Sequence, residues 1–171
     1  MRVRLAYGAA MTSPDFIHLR THSAYSLLEG ALHVKDLVKR AAKMSMPAVA
    51  VTDTNNLFGA LEFSEAAAGA GIQPIVGCQM DLDYAPPARL GDRPPPPLPI
   101  VLLAQNETGY ANLMKLNSCY FLDSGDLIPH VTRAELASHS EGLICLTGGA
   151  MGPVGALIRN GDLKGAEALF V

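Results

Sequence analysis

Ala48-Val49-Ala50-Val51-Thr52-Asp53 (residues 48–53) is an unbroken apolar run that closes on a carboxylate. A strand exposed on one face alternates apolar with polar residues, whereas a continuous run marks a strand covered on both faces, as in parallel sheets. Upstream, ahead of Pro47, Val34, Leu37, Val38, Ala41 and Ala42 recur at the i, i+3, i+4, i+7, i+8 spacing of an amphipathic helix. Downstream, Leu57 to Ala68 reads as a second helix, ended by Gly69 and Gly71. Gln73–Cys78 and Met80–Tyr84 follow as one long or two short strands, then Pro99–Ala104 and Leu143–Thr147 as further strands. Asn106 is placed to cap a helix carrying Tyr110, Leu113, Met114 and Leu116, and Thr132 to Glu135 has capping-box spacing. Gly148-Gly149 turns the chain toward a last helical pair, and no Lys-Ser/Thr follows to make that turn a phosphate loop. The rhythm predicts an α/β fold with a parallel sheet or a β/α barrel, its function at the carboxyl ends of the strands. His22, Asp53 and Gln79 fall at such ends.

The chain has 171 residues, enough for one domain with a real core. Its formal charge is −3, with 13 basic and 16 acidic residues, and no Lys/Arg run stands out. That argues against stand-alone DNA binding. Cys78, Cys119 and Cys145 are odd in number and form no CxxC pattern, so they read as core thiols of a reducing, cytoplasmic protein. No apolar run approaches the ~20 residues of a membrane span. Residues 1–15 read as an irregular tail, with Met11 an alternative natural start. Residues 85–99 read as an exposed proline-rich loop, because consecutive prolines can join neither a ladder nor a helix interior.

The first strand candidate is Ile17–Arg20, inside Phe16-Ile17-His18-Leu19-Arg20-Thr21-His22-Ser23-Ala24-Tyr25-Ser26-Leu27-Leu28-Glu29-Gly30. On a strand, His18, Arg20 and His22 would share one face. Two imidazoles suit a metal, but the guanidinium between them cannot coordinate. The stretch reads as a metal site with one ligand replaced.

FIHLRTHSAYSLLEGA, AVAVTDTNNLFGALEF, AGIQPIVGCQM, LLAQNETGYANLMKLNS and EGLICLTGG, five blocks in order from about Phe16 to the end, resemble the polymerase and histidinol phosphatase (PHP) domain. The form they resemble is the one at the N-terminus of bacterial replicative DNA polymerase III alpha subunits. The resemblance implies a distorted seven-stranded β/α barrel, of which residues 16–171 hold about five strands. Such an incomplete barrel leaves unpaired edges and is expected to be marginally stable or to self-associate. Metal-binding members carry a trinuclear site for phosphoester hydrolysis.

Set against that pattern, five positions depart: Arg20 and Thr54 replace His, Gln79 an acidic bridging ligand, Pro99 a His and Gly149 a Cys. His18, Glu29 and Asp53 remain, as weak candidates for a single ion, with His22 beside them. The resemblance therefore implies a relic site with no catalytic residue and no cofactor of its own, Mg belonging to the parent polymerase. Arg20 is expected to pair with Glu29, Asp53 or both in place of the metal, so that Arg20→Ala clearly lowers the melting temperature. The implied partners are the remainder of the alpha subunit and the proofreading exonuclease subunit, with no membrane and little direct DNA contact. The alternatives are an active phosphoesterase or 3′–5′ exonuclease using Zn, Mn or Fe, and a free-standing small PHP protein.

Overall fold

A computed structural model describes residues 16–84, 95–122 and 128–170. The tail 1–15 and most of the proline-rich stretch lie outside the described residues. Five strands form one sheet: β1 Ala48–Thr54, β2 Gln73–Asp83, β3 Leu98–Ala104, β4 Val131–Thr132 and β5 Leu143–Leu146. The helices are α1 Val34–Lys43, α2 Ala60–Gly69, α3 Glu107–Leu122, α4 Arg133–Ser138, α5 Pro153–Arg159 and α6 Leu163–Phe170.

The sheet is mixed, not all-parallel. Its order is β1-β2-β3-β5, and β4 pairs in parallel with the last residues of β2. β1 and β2 run parallel, whereas β3 is antiparallel to both β2 and β5. The continuous apolar runs report burial on both faces, and that burial is real; they carry no information on direction. Val49 and Val51 pack beneath α1 and α2 together with Phe63, Ala67 and Ile72. Cys78, Met80, Ile100 and Leu102 pack against Leu113, Leu116 and Tyr120 of α3. The alternate residues Ala50, Val101 and Leu103 fill a smaller cluster. Among the described residues the sheet does not close into a barrel.

Local signals behave as their chemistry requires. Asn106 Oδ1 accepts the Gly109 amide at 2.9 Å, and Thr132 with Glu135 forms a reciprocal capping box. The second helix starts later than its apolar pattern, at Ala60, because Asn56 Oδ1 accepts the Phe58 amide and holds the preceding residues in a turn. Only Cys78 of the three thiols is fully buried; Cys145 is exposed.

The first strand candidate does not form a strand. His18 and Thr21 carbonyls accept the Ala50 and Thr52 amides at 2.8 Å, so the segment lies along the outer edge of β1. Three residue steps on the segment oppose two on β1, and the surplus residue bends the chain at Leu19–Arg20. A bulge of this kind breaks the ladder and with it the alternation of side chains.

Candidate functional site

Because β3 runs antiparallel, its amino end lies at the same edge of the sheet as the carboxyl ends of β1, β2 and β5. Every sequence-predicted position on those strands therefore falls at one edge. Thr54 pairs with Gln79 across β1–β2, Pro99 is the second residue of β3 and lies opposite Asp81, and Gly149 follows β5. Pro99 is tolerated there because a proline near the start of a strand sacrifices little of the ladder. Gly148 has φ +75°, and a Cβ on it would lie 2.1 Å from the Pro99 carbonyl oxygen, so only glycine lets β5 turn against β3. Gly149 itself begins a single 3-10 turn and meets no neighbour at that side.

Gln79 sits at the centre of the edge, and its amide is almost fully buried. Its Oε1 accepts from Arg20 Nε at 2.9 Å and lies 3.2 Å from His22 Nε2. Its Nε2 donates to Thr54 Oγ1 at 3.3 Å. Thr54 Oγ1 donates in turn to Glu29 Oε2 at 2.5 Å, and the same carboxylate oxygen stands 3.1 Å from His22 Nδ1. The loop of contacts Gln79–Thr54–Glu29–His22–Gln79 is closed, with Arg20 attached to it from outside. Asp81, two residues on, is an acid that the sequence reading does not single out. Burial raises its pKa, hydrogen bonds from the Asn55 and Tyr120 side chains oppose the rise, and the Glu29 charge adds to it. Burial also pushes the Tyr120 hydroxyl up to about 12.

Asp53 is not part of this ring. It is 3% exposed, and its carboxylate is saturated by the opening segment. Oδ1 accepts the Ser23 amide at 2.6 Å and Ser26 Oγ at 2.5 Å, and Oδ2 accepts Ser23 Oγ at 2.7 Å. Ser26 Oγ also accepts the Thr54 amide at 3.1 Å. The Ser23 and Ser26 hydroxyls are thus the residues the sequence reading missed. Their signal is two serines three apart in a segment that must pack on a strand ending in a buried acid. Gly30 completes the loop, since a Cβ there would lie 1.8 Å from the Ser23 carbonyl oxygen. Beneath Asp53, Cys78 Sγ donates to its carbonyl at 3.3 Å, and burial lifts that thiol to about 12.

Two expectations are corrected. Arg20 does not bond Glu29 or Asp53: its Nε is taken by Gln79, while Thr54 and His22 engage Glu29 and the serines engage Asp53. His18 does not join Arg20 and His22, because the bend at Leu19–Arg20 separates them; its ring meets Phe16 edge-on, centroids 4.8 Å apart. Arg20 is exposed and its partner is neutral. Arg20→Ala is therefore expected to cost less than about 1 kcal/mol in urea unfolding, far below the loss of a buried ion pair. A loss above about 3 kcal/mol would restore the ion-pair reading.

Among the described residues no cluster of three or more His, Cys, Asp or Glu side chains has the geometry to hold a metal ion. The donor chemistry agrees. A guanidinium bonds the ring from outside, an amide is one of its four members, and the most buried carboxylate has its oxygens committed to serines.

A sheet with helices over one face and its polar side chains gathered at the carboxyl ends of parallel strands defines an α/β domain with a strand-end site. The chain belongs to the PHP domain family, whose model matches residues 18–171. The DNA polymerase III subunit alpha of Caulobacter vibrioides is 50% identical over 157 residues, covering 90% of this chain and 13% of that protein. The subunit alpha of Escherichia coli strain K12 is 41% identical over 153 residues, covering 89% and 13%. The chain thus spans about an eighth of the length of these relatives. Among solved structures, an amidohydrolase from Chromobacterium violaceum matches with 21% identity and a TM-score of 0.43, covering 90% of this chain and 53% of that one. No helix among the described residues is long and apolar enough to cross a membrane.

Proposed function

We propose that this chain is the N-terminal PHP domain of a replicative DNA polymerase III alpha subunit, working in the cytoplasm as a scaffold. On this reading it supports the rest of the polymerase and gives the proofreading exonuclease subunit a surface to dock on. It performs no hydrolysis and needs no metal of its own. The observation that carries the reading is the Gln79-centred ring, with an amide and a guanidinium where a phosphoesterase needs anionic or imidazole ligands. Hydrogen bonds that elsewhere would orient metal ligands here satisfy one another, so the site keeps its shape without an ion.

The rival reading, a phosphoesterase or 3′–5′ exonuclease using Zn, Mn or Fe, draws on the 3.1 Å approach of His22 to Glu29. Elemental analysis after incubation with each metal and desalting separates the two. Substoichiometric metal and no hydrolysis of bis(p-nitrophenyl) phosphate are the expected results. Near-stoichiometric metal with hydrolysis would overturn the scaffold reading. The docking role is tested by titrating the chain with the purified proofreading subunit, and absence of binding would remove it.

A further inference from the structure

The outer face of α1 carries Lys35, Lys39, Arg40 and Lys43, all exposed. The opposite face, Val34, Leu37, Val38 and Ala41, is buried against β1 and α2. Lys35, Lys39 and Lys43 follow one another at i+4 and so line up in a row about 12 Å long. Four of the chain's 13 basic residues thus stand on one ten-residue helix. The helix has a single acid, Asp36, which reaches Lys39 only at 4.0 Å; among the described residues Lys35, Arg40 and Lys43 have no ion pair. On the neighbouring α2, Glu62 accepts from the Tyr25 hydroxyl, and Glu65 is exposed without an ion pair among the described residues.

Helix stability does not explain this row. Arg40 and Lys43 in the last turn complement the helix dipole, but Lys35 in the first turn opposes it. Each i,i+4 pair of lysines repels, at a cost of the order expected for like charges on one helix face. Lys39, Arg40 and Lys43, with Leu32 and Asp36, also line a shallow open groove, so the cations converge on a concavity. Cations gathered against local repulsion in a chain of net charge −3 call for a polyanion.

We infer that the outer face of α1 is a phosphate-backbone contact for duplex nucleic acid. Duplex DNA carries one charge per about 1.7 Å of axis, so a row of about 12 Å has more phosphates beside it than it has cations. The choice of a nucleic acid rests on the polymerase reading above; the charged face does not. The contact is sequence-independent and lies on the helix-covered face of the sheet, away from the Gln79 ring.

The test is fluorescence anisotropy of a labelled random-sequence DNA duplex titrated with the full chain, across about 20–100 mM salt. Four phosphate contacts predict a slope of log K against log salt of about −3.6. Lys35→Glu/Lys39→Glu/Lys43→Glu is expected to weaken binding by more than about tenfold, while Lys→Arg at the same positions preserves it. Circular dichroism checks the fold. If the triple variant does not fold, Lys39→Gln alone is expected to reduce the slope by about 1. No binding at the lowest salt, or binding indifferent to these substitutions, overturns the inference. So does equal affinity for labelled polyglutamate, which would make the face a dock for an acidic protein. Failure of the unaltered chain to bind DNA, with docking of the proofreading subunit intact, would sink this inference and leave the proposed function standing.

Discussion

Asp53→Ala is expected to destabilise the domain by about 4 kcal/mol in urea unfolding. Three donors lose their acceptor at once: the Ser23 amide, Ser23 Oγ and Ser26 Oγ. Both serines are fully buried, so no water replaces the carboxylate without opening the loop. A hydrogen bond to a charged group contributes about 1.5–3 kcal/mol, and each stranded buried donor costs about 1–3 kcal/mol, so partial relaxation still leaves a large loss. Asp53→Asn keeps one carbonyl acceptor and is expected to lose about half as much. Amide exchange of residues 22–32 should accelerate in both variants, because the loop is fastened at Asp53 and at Gly30. A chelator separates this account from a ligand role: if Asp53 held a metal, wild-type stability would fall with EDTA. Here it is expected to stay constant. A loss under about 1 kcal/mol on Asp53→Ala would show that the loop is held by other means.

The same residues show what a sequence can and cannot disclose. The run Ala48–Thr52 is legible as a doubly covered strand, and the i, i+3, i+4 pattern of α1 is legible as a helix, since periodicity reports which faces are buried. Strand direction is not legible, because a chain entering β3 from either end buries the same residues; hence the antiparallel β3. The bend at Leu19–Arg20 is hidden for a related reason. The apolar-polar alternation of Ile17–Arg20 fits a strand, and nothing local announces the surplus residue. That Thr54, Gln79, Pro99 and Gly149 share one edge of the sheet follows from their places at strand ends, whereas His18 and Asp53 go to other partners. Side-chain bonding is not legible, because Arg20 selects its partner in three dimensions and a neutral amide lies closer to it than either acid's open lone pairs. The basic row escapes notice for the opposite reason: its cations are interleaved with the apolar residues that bury the other face of α1, so no run of charge exists in the sequence.

Phe63→Ala is expected to cost about 4 kcal/mol, within the range for deleting a buried aromatic ring. α2 buries only Ala60, Phe63 and Ala67, so one ring supplies nearly all the apolar area that fastens this alanine-rich helix to the sheet. Phe63 is completely buried among Val34, Leu37, Val38, Val49, Val51 and Ile72, and the cluster has no buried polar group or second aromatic ring to share the load. The void left by an alanine cannot be refilled from α1, whose β-branched Val34 and Val38 have few rotamers to offer. Phe58, five residues earlier and 73% exposed, is the internal control: Phe58→Ala is expected to change stability by less than about 0.5 kcal/mol. The consequence reaches both surfaces proposed above, since α1 rests on the same cluster and carries the basic row, while α2 follows directly from the turn after Asp53. Loosening α2 should therefore speed exchange of the Leu61–Ala68 amides before global unfolding. A cost below about 1.5 kcal/mol would mean that α2 is held chiefly by its own helical propensity, and that α1 presents its cations without help from it.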